Sequence, residues 1–380
     1  MGRSVHHPVG LIHKSAEVSD GYVLLTTHGG THATLLDTDG QVVHRWNSDE
    51  GIVHACLLPN GHLLCRTKPS TIESIVSNIG GVSSSIIEFD WDGRIIWRYD
   101  DPFIHHDFER LVTGNTLVLL FKELSEEITS NIRGGYHTKE DPKRMLGDVI
   151  REVNTDGLTV NECSISEGLL YEDDVICPLE SRREWTHGNS LTVTNNGDFL
   201  VSLRNINTVG IINKETQRFI WKWGSGQISH QHHASFLENG NVLIFDNGSH
   251  SKGIDRSRVV EVNPEEDKII WEYTESPPVS FYSFHLSSAD RLNNGNTFIC
   301  EGAYGRLFEI TMEGKIVWEF VNPFLSPDMK FDYLTNMVFR AHKYSTGYAA
   351  FDGKVLDPSA YASINKSYIG GVKRHGLIIA

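Results

Sequence analysis

Four imidazoles stand in the segment SHQHHASFLENGNVLIFDNGSH, as His230, His232, His233 and His250. An imidazole can serve as nucleophile, general base or metal ligand near neutral pH. The segment gains meaning from the rest of the chain, where a histidine recurs ahead of a similar glycine turn. His54 lies seven residues before Gly61, and His106 and His232 lie eight before Gly114 and Gly240. His187 and His285 lie ten before Gly197 and Gly295. If the strand of each such turn is innermost in a radially repeated unit, these side chains project toward one axis and meet in one pocket. A single histidine of this kind is more often a packing residue that ties a corner. Five at one place in a repeat, with Arg and Asn nearby, have the makings of a site.

Three stretches concentrate the chemistry. FIHHDFERL offers His105, His106 and Asp107; REWTHGNSL offers His187 and Asn189, with Arg204 in the following strand; the third offers His230, Gln231, His232 and His233. Alternate residues of a strand share a face, so only one of His105/His106 and one of His232/His233 should point inward. The planar fork of Arg204 matches sulfate, phosphate or carboxylate; its bland alternative is a salt bridge. Asn189 and a second histidine could hold the remaining oxygens of an anionic substrate as charge redistributes. His54, His105, His285 and Arg306 are candidates for substrate binding. The competing chemistry is a divalent metal ion held by His106, His187 and His232 with an open position for substrate, in a lyase or hydrolase acting on a sugar, phenolic or other small anionic substrate. A third reading is a non-catalytic propeller that presents a face to a protein partner.

The elements that must position these residues repeat. A turn of the type Asp-x-Asp/Glu-Gly before a short strand ending in an aromatic occurs in LLDTDGQVVHRW, IEFDWDGRIIWRY, IINKETQRFIWKW, VEVNPEEDKIIWEY and FEITMEGKIVWEF, with a degenerate copy in REVNTDGLTVNECSI. A strand reached through an Asn/Thr-Gly turn precedes five of these, as LLPNGHLLC, LVTGNTLVLL, VTNNGDFLVSL, FLENGNVLIF and RLNNGNTFIC. Short strands between such turns, repeating at roughly 50 residues, predict propeller blades. The amino-terminal part supplies outer strands without an opening one, and NMVFRAHKYSTGYAAF near the other end could supply the missing inner strand. The expectation is an all-β, six-bladed β-propeller forming a single domain over 1–380, its ring closed by the amino- and carboxy-terminal segments. Residues 122–184 should carry an inserted loop or short helix, and the aromatics at the repeat ends should be blade core.

Composition sets the bounds. A net charge of −15 lacks the basic footprint that nucleic acid or an anionic membrane surface requires, yet leaves room for a local Arg/His pocket that binds a small anionic or phenolic partner. The five cysteines fit no zinc spacing and read as thiols in a reducing compartment, with Cys300 buried in its strand. No basic segment followed by an apolar one opens the chain, and no apolar run approaches a membrane span, so the expected location is the cytoplasm. No GxSxG elbow occurs, and GAYGRL lacks the Lys-Ser/Thr of a phosphate loop. Asn247 and Asn365 have sequon spacing. No cofactor is expected, the divalent ion of the competing chemistry aside, and the sequence carries no signal for oligomeric state.

EWTHGNSL with its downstream Arg, QHHASFLENGNVLIFDNG, and RLNNGNTFICEGAYGRLFEITMEGKIVWEFVNPF together resemble the arylsulfate sulfotransferase family, over roughly Gly21 to Phe351. The resemblance implies a six-bladed propeller that moves a sulfuryl group from an aryl sulfate to a phenol without a nucleotide donor. It implies a ping-pong cycle through a sulfohistidine. On this resemblance the attacking residue is His232, supported by His187, Asn189, Arg204 and His106, with His105 the alternative to His106.

Overall fold

The computed structural model describes residues 8–70, 76, 79–138, 144–328 and 332–368. Six antiparallel sheets make the six blades of a β-propeller, and helices are few and short. Blade 1 joins Val338–Tyr344 to Tyr22–Thr27, His32–Leu36 and Val42–Asn47, so the two ends of the chain complete one sheet as expected. Blade 2 runs His54–Leu57, Leu63–Arg66, Ser85–Phe89, Ile95–Asp100. Blade 3 runs Ile104–Arg110, Thr116–Glu123, Leu146–Val153, Thr159–Ser164. Blade 4 runs Gly188–Val193, Phe199–Leu203, Thr208–Asn213, Arg218–Trp223, and blade 5 runs His232–Phe236, Val242–Asp246, Arg258–Asn263, Lys268–Tyr273. Blade 6 runs Ser288–Arg291, Thr297–Glu301, Arg306–Ile310, Ile316–Val321, and takes Gly10–Lys14 as an unforeseen fifth strand.

By contact density the chain falls into two compact units. One is Met1–Lys68, Ile86–Arg98 and Leu286–Ala380; the other is Pro69–Ser85 and Tyr99–His285. The first holds blades 1 and 6 and most of blade 2, and the second holds blades 3, 4 and 5.

The repeat signature is a side-chain device. In LLDTDGQVV the Asp37 carboxylate accepts from the N–H of Asp39 (2.9 Å) and of Gln41 (2.8 Å). In IEFDWDGRI Asp90 accepts from Asp92 (3.0 Å) and Arg94 (2.8 Å). Asn154 repeats this in the degenerate copy, accepting from Asp156 (3.0 Å) and Leu158 (2.9 Å). Gly40, Gly93 and Gly157 complete the three turns at φ of 71°, 83° and 77°, a conformation that costs little only without a Cβ. REVNTDGLTVNECSI is therefore the outer hairpin of a full blade.

The aromatics at the repeat ends are blade core: Trp46, Tyr99, Trp223, Tyr273 and Phe320 are all buried. In the first unit the indoles also staple one blade to the next. Trp46 Nε1 donates to Asp90 O at 3.0 Å and Trp318 Nε1 to Thr38 O at 2.8 Å, each reaching the outer turn of the following blade. In both units the first strand of a blade packs against the first strand of its neighbour, which makes it the inner edge. One expectation needs correcting here. The histidines stand on or just before the strand that precedes the Asn/Thr-Gly turn, not with the strand that follows it, because the turn joins the first strand to the second.

The first unit is also closed by its tail. Asn365, in the helix Ala362–Tyr368, accepts from Val42 N (2.8 Å) and donates to Val42 O (3.2 Å), while Tyr368 Oη donates to Gly40 O at 2.9 Å. Asn365 is thus a buried structural amide rather than an available sequon. Replacing Asn365 by Ala strands both polar groups of the buried Val42 backbone, at a cost of about 1–3 kcal/mol. A urea or guanidinium midpoint lowered by that amount is the expected outcome; an unchanged midpoint would mean the tail helix adds nothing to the blade.

Candidate functional site

The second unit gathers most of the predicted residues. Its backbone breaks the alternation that the strand pattern requires. His106, His187 and His233 have φ of 47°, 52° and 45°, and the ladders of blades 3, 4 and 5 slip in register at their inner strands. Histidine is among the side chains that tolerate this left-handed conformation, and a bulge re-aims side chains that a regular strand would send to opposite faces. His105 and His106 are therefore both buried, as are His232 and His233.

His232 is fixed from two sides. Gln231, before it, is held by blade 4: its Nε2 donates to Ser202 Oγ (3.1 Å) and Thr208 O (3.0 Å), and its carbonyl accepts from Asn189 Nδ2 at 2.8 Å. The His232 ring points Nδ1 at Asn247 Oδ1, 2.8 Å away, with His230 O at 3.2 Å. Asn247 cannot turn its amide over, because its Nδ2 donates to Ser283 O at 2.7 Å. Nδ1 of His232 must then carry the proton, and Nε2 keeps its lone pair. Burial, followed by the positive charge of Arg204, drives the pKa of His232 well below the ordinary imidazole value; the neighbouring His187 and His285 act in the same direction, against the Asn247 hydrogen bond.

A second group surrounds His106 and His187, whose ring centroids lie 4.5 Å apart. His187 Nδ1 meets Glu184 Oε2 at 2.7 Å. His106 Nδ1 meets His105 Nδ1 at 3.0 Å, and His105 Nε2 lies 3.2 Å from Asp148 Oδ1. The two Nδ1 atoms face each other, so one ring donates and the other accepts, with the Asp148 carboxylate close to the far edge of His105. Gly81 lies against this ring: a Cβ there would fall 2.1 Å from His106 Cε1.

Arg204 is half committed. Its Nη1 donates to Glu180 Oε1 (2.8 Å) and Asn205 Oδ1 (3.0 Å), while Nη2 and Nε make no hydrogen bond among the described residues. The expected salt bridge and the expected anion binder are thus both compatible with this guanidinium. Glu180 also lies 3.1 Å from His230 Nε2 and 3.7 Å from His250 Nδ1. Burial raises its pKa, but His230 and Arg204 outweigh burial and hold it down at about 2.

Other predicted residues have different roles. Asn189 is fully buried and ties blade 4 to Gln231, so it positions the segment before His232. His105 is fully buried and stacked on Phe121 at 3.8 Å, so it does not present an open face to a substrate. Arg306 and His54 belong to the first unit. Arg306 is buried with Glu301 (3.1 Å) and Glu319 (2.6 Å) on its guanidinium, which neutralise the charge a substrate anion would need. His54 Nε2 lies 3.4 Å from Nε2 of His342, whose Nδ1 is 3.2 Å from Asp290. His285 closes the second unit beside Phe284, with ring centroids 4.0 Å apart.

The sequence reading missed Asp148, Glu180, Glu184 and the role of Asn247. Asn247 did leave a signal, since an Asn-Gly at the end of an inner hairpin is unusual among these repeats. It is fully buried, so sequon spacing had no meaning there. Asp148 comes from the third strand of blade 3, and Glu180 and Glu184 from the segment between blades 3 and 4. An earlier insertion, between the second and third strands of blade 3, carries a helix at Glu126–Asn131 and the short strand Gly134–Tyr136, which pairs in parallel with Ile176–Ser181 of the later segment. His106, His187 and His232 do not form a converging donor set; among the described residues the set whose donor atoms lie within 4.8 Å of one another is Cys177, His230 and His250. Cys65, Cys163 and Cys300 are buried as expected, whereas Cys56 and Cys177 are half-buried. Among the described residues no helix is long and apolar enough to cross a membrane.

Comparison with known proteins places these observations. A family model described as arylsulfotransferase (ASST) matches residues 85–323, more than half of the chain. No curated protein matches. A crystal structure of a protein of unknown function from Bacteroides caccae aligns at 17% identity and a TM-score of 0.55, over 86% of this chain and 99% of that one, which shows a shared fold. A virginiamycin B lyase from Staphylococcus aureus aligns at 13% identity and a TM-score of 0.42, over 79% and 86% of the two chains. A streptogramin B lyase aligns at 13% and 0.47, over 84% and 85%.

The lock on His232 can be read directly. Nitrogen-resolved NMR at neutral pH should report the Nδ1–H tautomer for this ring. Replacing Asn247 by Ala leaves only the longer contact to His230 O, and the Nδ1 proton should then exchange with water about tenfold faster, the loss of one hydrogen bond. An unchanged exchange rate would show that Asn247 does not hold the ring.

Proposed function

Because the chain belongs to the arylsulfotransferase family, an assignment that makes it an enzyme of the transferase type, we propose that it moves a sulfuryl group from an aryl sulfate to a phenol through a covalent intermediate on His232. The observation that carries this reading is the Asn247–His232 hydrogen bond of 2.8 Å, which leaves the lone pair on Nε2 of a ring kept neutral by burial and by Arg204.

In the first half-reaction Nε2 of His232 attacks sulfur and the bond from sulfur to the aryl oxygen breaks. The electron pair leaves on that oxygen, which takes a proton from His187, paired with Glu184. The sulfated ring carries a positive charge, and Asn247 Oδ1 accepts its Nδ1–H. In the second half-reaction the acceptor phenol attacks sulfur and gives its proton to His187, and the N–S bond breaks with its pair returning to Nε2. The unengaged Nη2 and Nε of Arg204 face the anionic oxygens throughout, where fixed donors are worth most. His106, oriented through His105 and Asp148, is the second proton carrier. Asn189 acts as a positioning residue through Gln231. The chemical step needs no cofactor, and the partners are two small aromatic molecules, one of them anionic. A metal-dependent lyase or hydrolase built on His106, His187 and His232 is less favoured, since those donors do not converge.

His232→Ala should lower turnover of an aryl sulfate about 10³-fold or more while leaving the melting transition in place. Arg204→Ala should lower kcat/KM about 10²–10³-fold. Wild-type protein mixed with p-nitrophenyl sulfate and no acceptor should release a burst of phenol, and mass analysis should find a sulfuryl adduct on the peptide that contains His232. Retained turnover in His232→Ala, or an adduct on another residue, would overturn the assignment.

A further inference from the structure

Beside Arg204 lies a cluster that sulfuryl transfer does not use. Cys177 Sγ lies 3.6 Å from His250 Nδ1, and His250 Nδ1 lies 3.7 Å from Glu180 Oε1. Glu180 Oε1 in turn lies 3.1 Å from His230 Nε2, and the three donor atoms of Cys177, His230 and His250 all fall within 4.8 Å of one another. Bond lengths of about 2.0–2.3 Å to nitrogen, oxygen and sulfur around a tetrahedral ion put neighbouring donors about 3.5 Å apart. The separations of 3.6, 3.7 and 3.1 Å match that spacing, and Cys177, His230 and His250 as a set need close by about an ångström or so at most.

The ring of His230 is set up as a ligand. It is fully buried, and although Glu180 is close, Nε2 has no hydrogen-bond partner. Its Nδ1 meets Ser229 Oγ at 3.3 Å, and that hydroxyl donates its own hydrogen to Ser249 O, so it can accept from Nδ1–H. Nε2 is thereby left with its lone pair turned into the cluster, the outer-shell arrangement that commonly orients a metal-binding histidine. The backbone is fixed as well. His230 N donates to Asn207 Oδ1 at 2.9 Å, and Asp246 Oδ1 accepts from Ser229 N (2.8 Å) and Gly248 N (3.3 Å), holding the turn that leads to His250.

We propose that Cys177, His230 and His250, with Glu180 as fourth donor, bind a divalent ion of the zinc class. A thiolate with two imidazoles and one carboxylate is a donor set suited to zinc rather than to magnesium or calcium. Binding replaces the thiol proton of Cys177 by the metal and releases that proton to water, so affinity rises with pH. The ion fixes Glu180, and Glu180 fixes Nη1 of Arg204 at 2.8 Å. The site therefore positions the guanidinium without taking part in the sulfuryl step, and it does not depend on the reaction proposed above.

The full chain, stripped with a chelator, is titrated with Zn²⁺ by calorimetry and with Co²⁺ by absorption. One equivalent should bind, and Co²⁺ should show a thiolate-to-metal charge-transfer band in the near ultraviolet. Cys177→Ser should abolish that band. His250→Ala, at a partly exposed position, should weaken Zn²⁺ binding by about 10–100-fold or more while the melting transition of the metal-free protein stays in place. Absence of stoichiometric binding would overturn the proposal. So would binding that survives both substitutions with its affinity and band unchanged, since the ion would then sit elsewhere.

Discussion

A buried carboxylate at Asp148 governs the second unit. It stands in the third strand of blade 3 and accepts from Gly188 N at 2.8 Å and from Thr186 Oγ1, both at the start of blade 4, while its other oxygen faces His105. Taking a carboxylate out of water costs several kcal/mol unless donors replace the water. Here burial raises the pKa, but His105, Thr186 and the Gly188 N–H outweigh it and the net shift is downward. The charge is therefore retained where blade 4 begins and where the His105–His106 pair must be oriented. Asp107 adds a second tie of the same kind, accepting from Leu191 N at 2.8 Å. Both carboxylates link blade 3 to the inner strand of blade 4, so the imidazoles on those strands inherit their positions from buried charge as well as from apolar packing.

What the sequence made legible was what short-range chemistry specifies. The Asp-x-Asp-Gly turns are closed by a side chain that reaches two and four residues ahead, so they can be read as a local pattern, and the blade count followed from them. The closing strand Val338–Tyr344 was legible because the amino-terminal sheet lacked an opening strand. The left-handed histidines were not. Alternation assumes a regular strand, and the bulges at His106, His187 and His233 answer to neighbouring blades rather than to local spacing. Glu180 and Glu184 were hidden for another reason. They lie in an insertion with no period, and Glu180 takes its meaning from His230, fifty residues further on.

Arg204 joins the two halves of the site. One edge of its guanidinium is held by Glu180, and its charge bears on His230 and His232 alike, disfavouring a proton on either ring. For His232 that effect adds to burial in keeping the ring neutral. For His230 it opposes the pull of Glu180. A lysine could supply the same charge, but not a planar fork with one edge tied back to Glu180 and the other left unengaged among the described residues.

The arrangement also separates the duties of residues that look alike in sequence. The Gln-His-His-Ala run contains one histidine whose Nδ1 is locked by Asn247 and one whose backbone absorbs the bulge. Exchanging the two by a one-residue slip would carry Gln231 away from Ser202 and Thr208, breaking the hydrogen bonds of a fully buried amide. Such a buried amide costs more when unpaired than its hydrogen bonds return when made. Register here is thus enforced by a neutral side chain beside His232. The glutamine anchors the strand, and the histidine that follows it receives the fixed geometry.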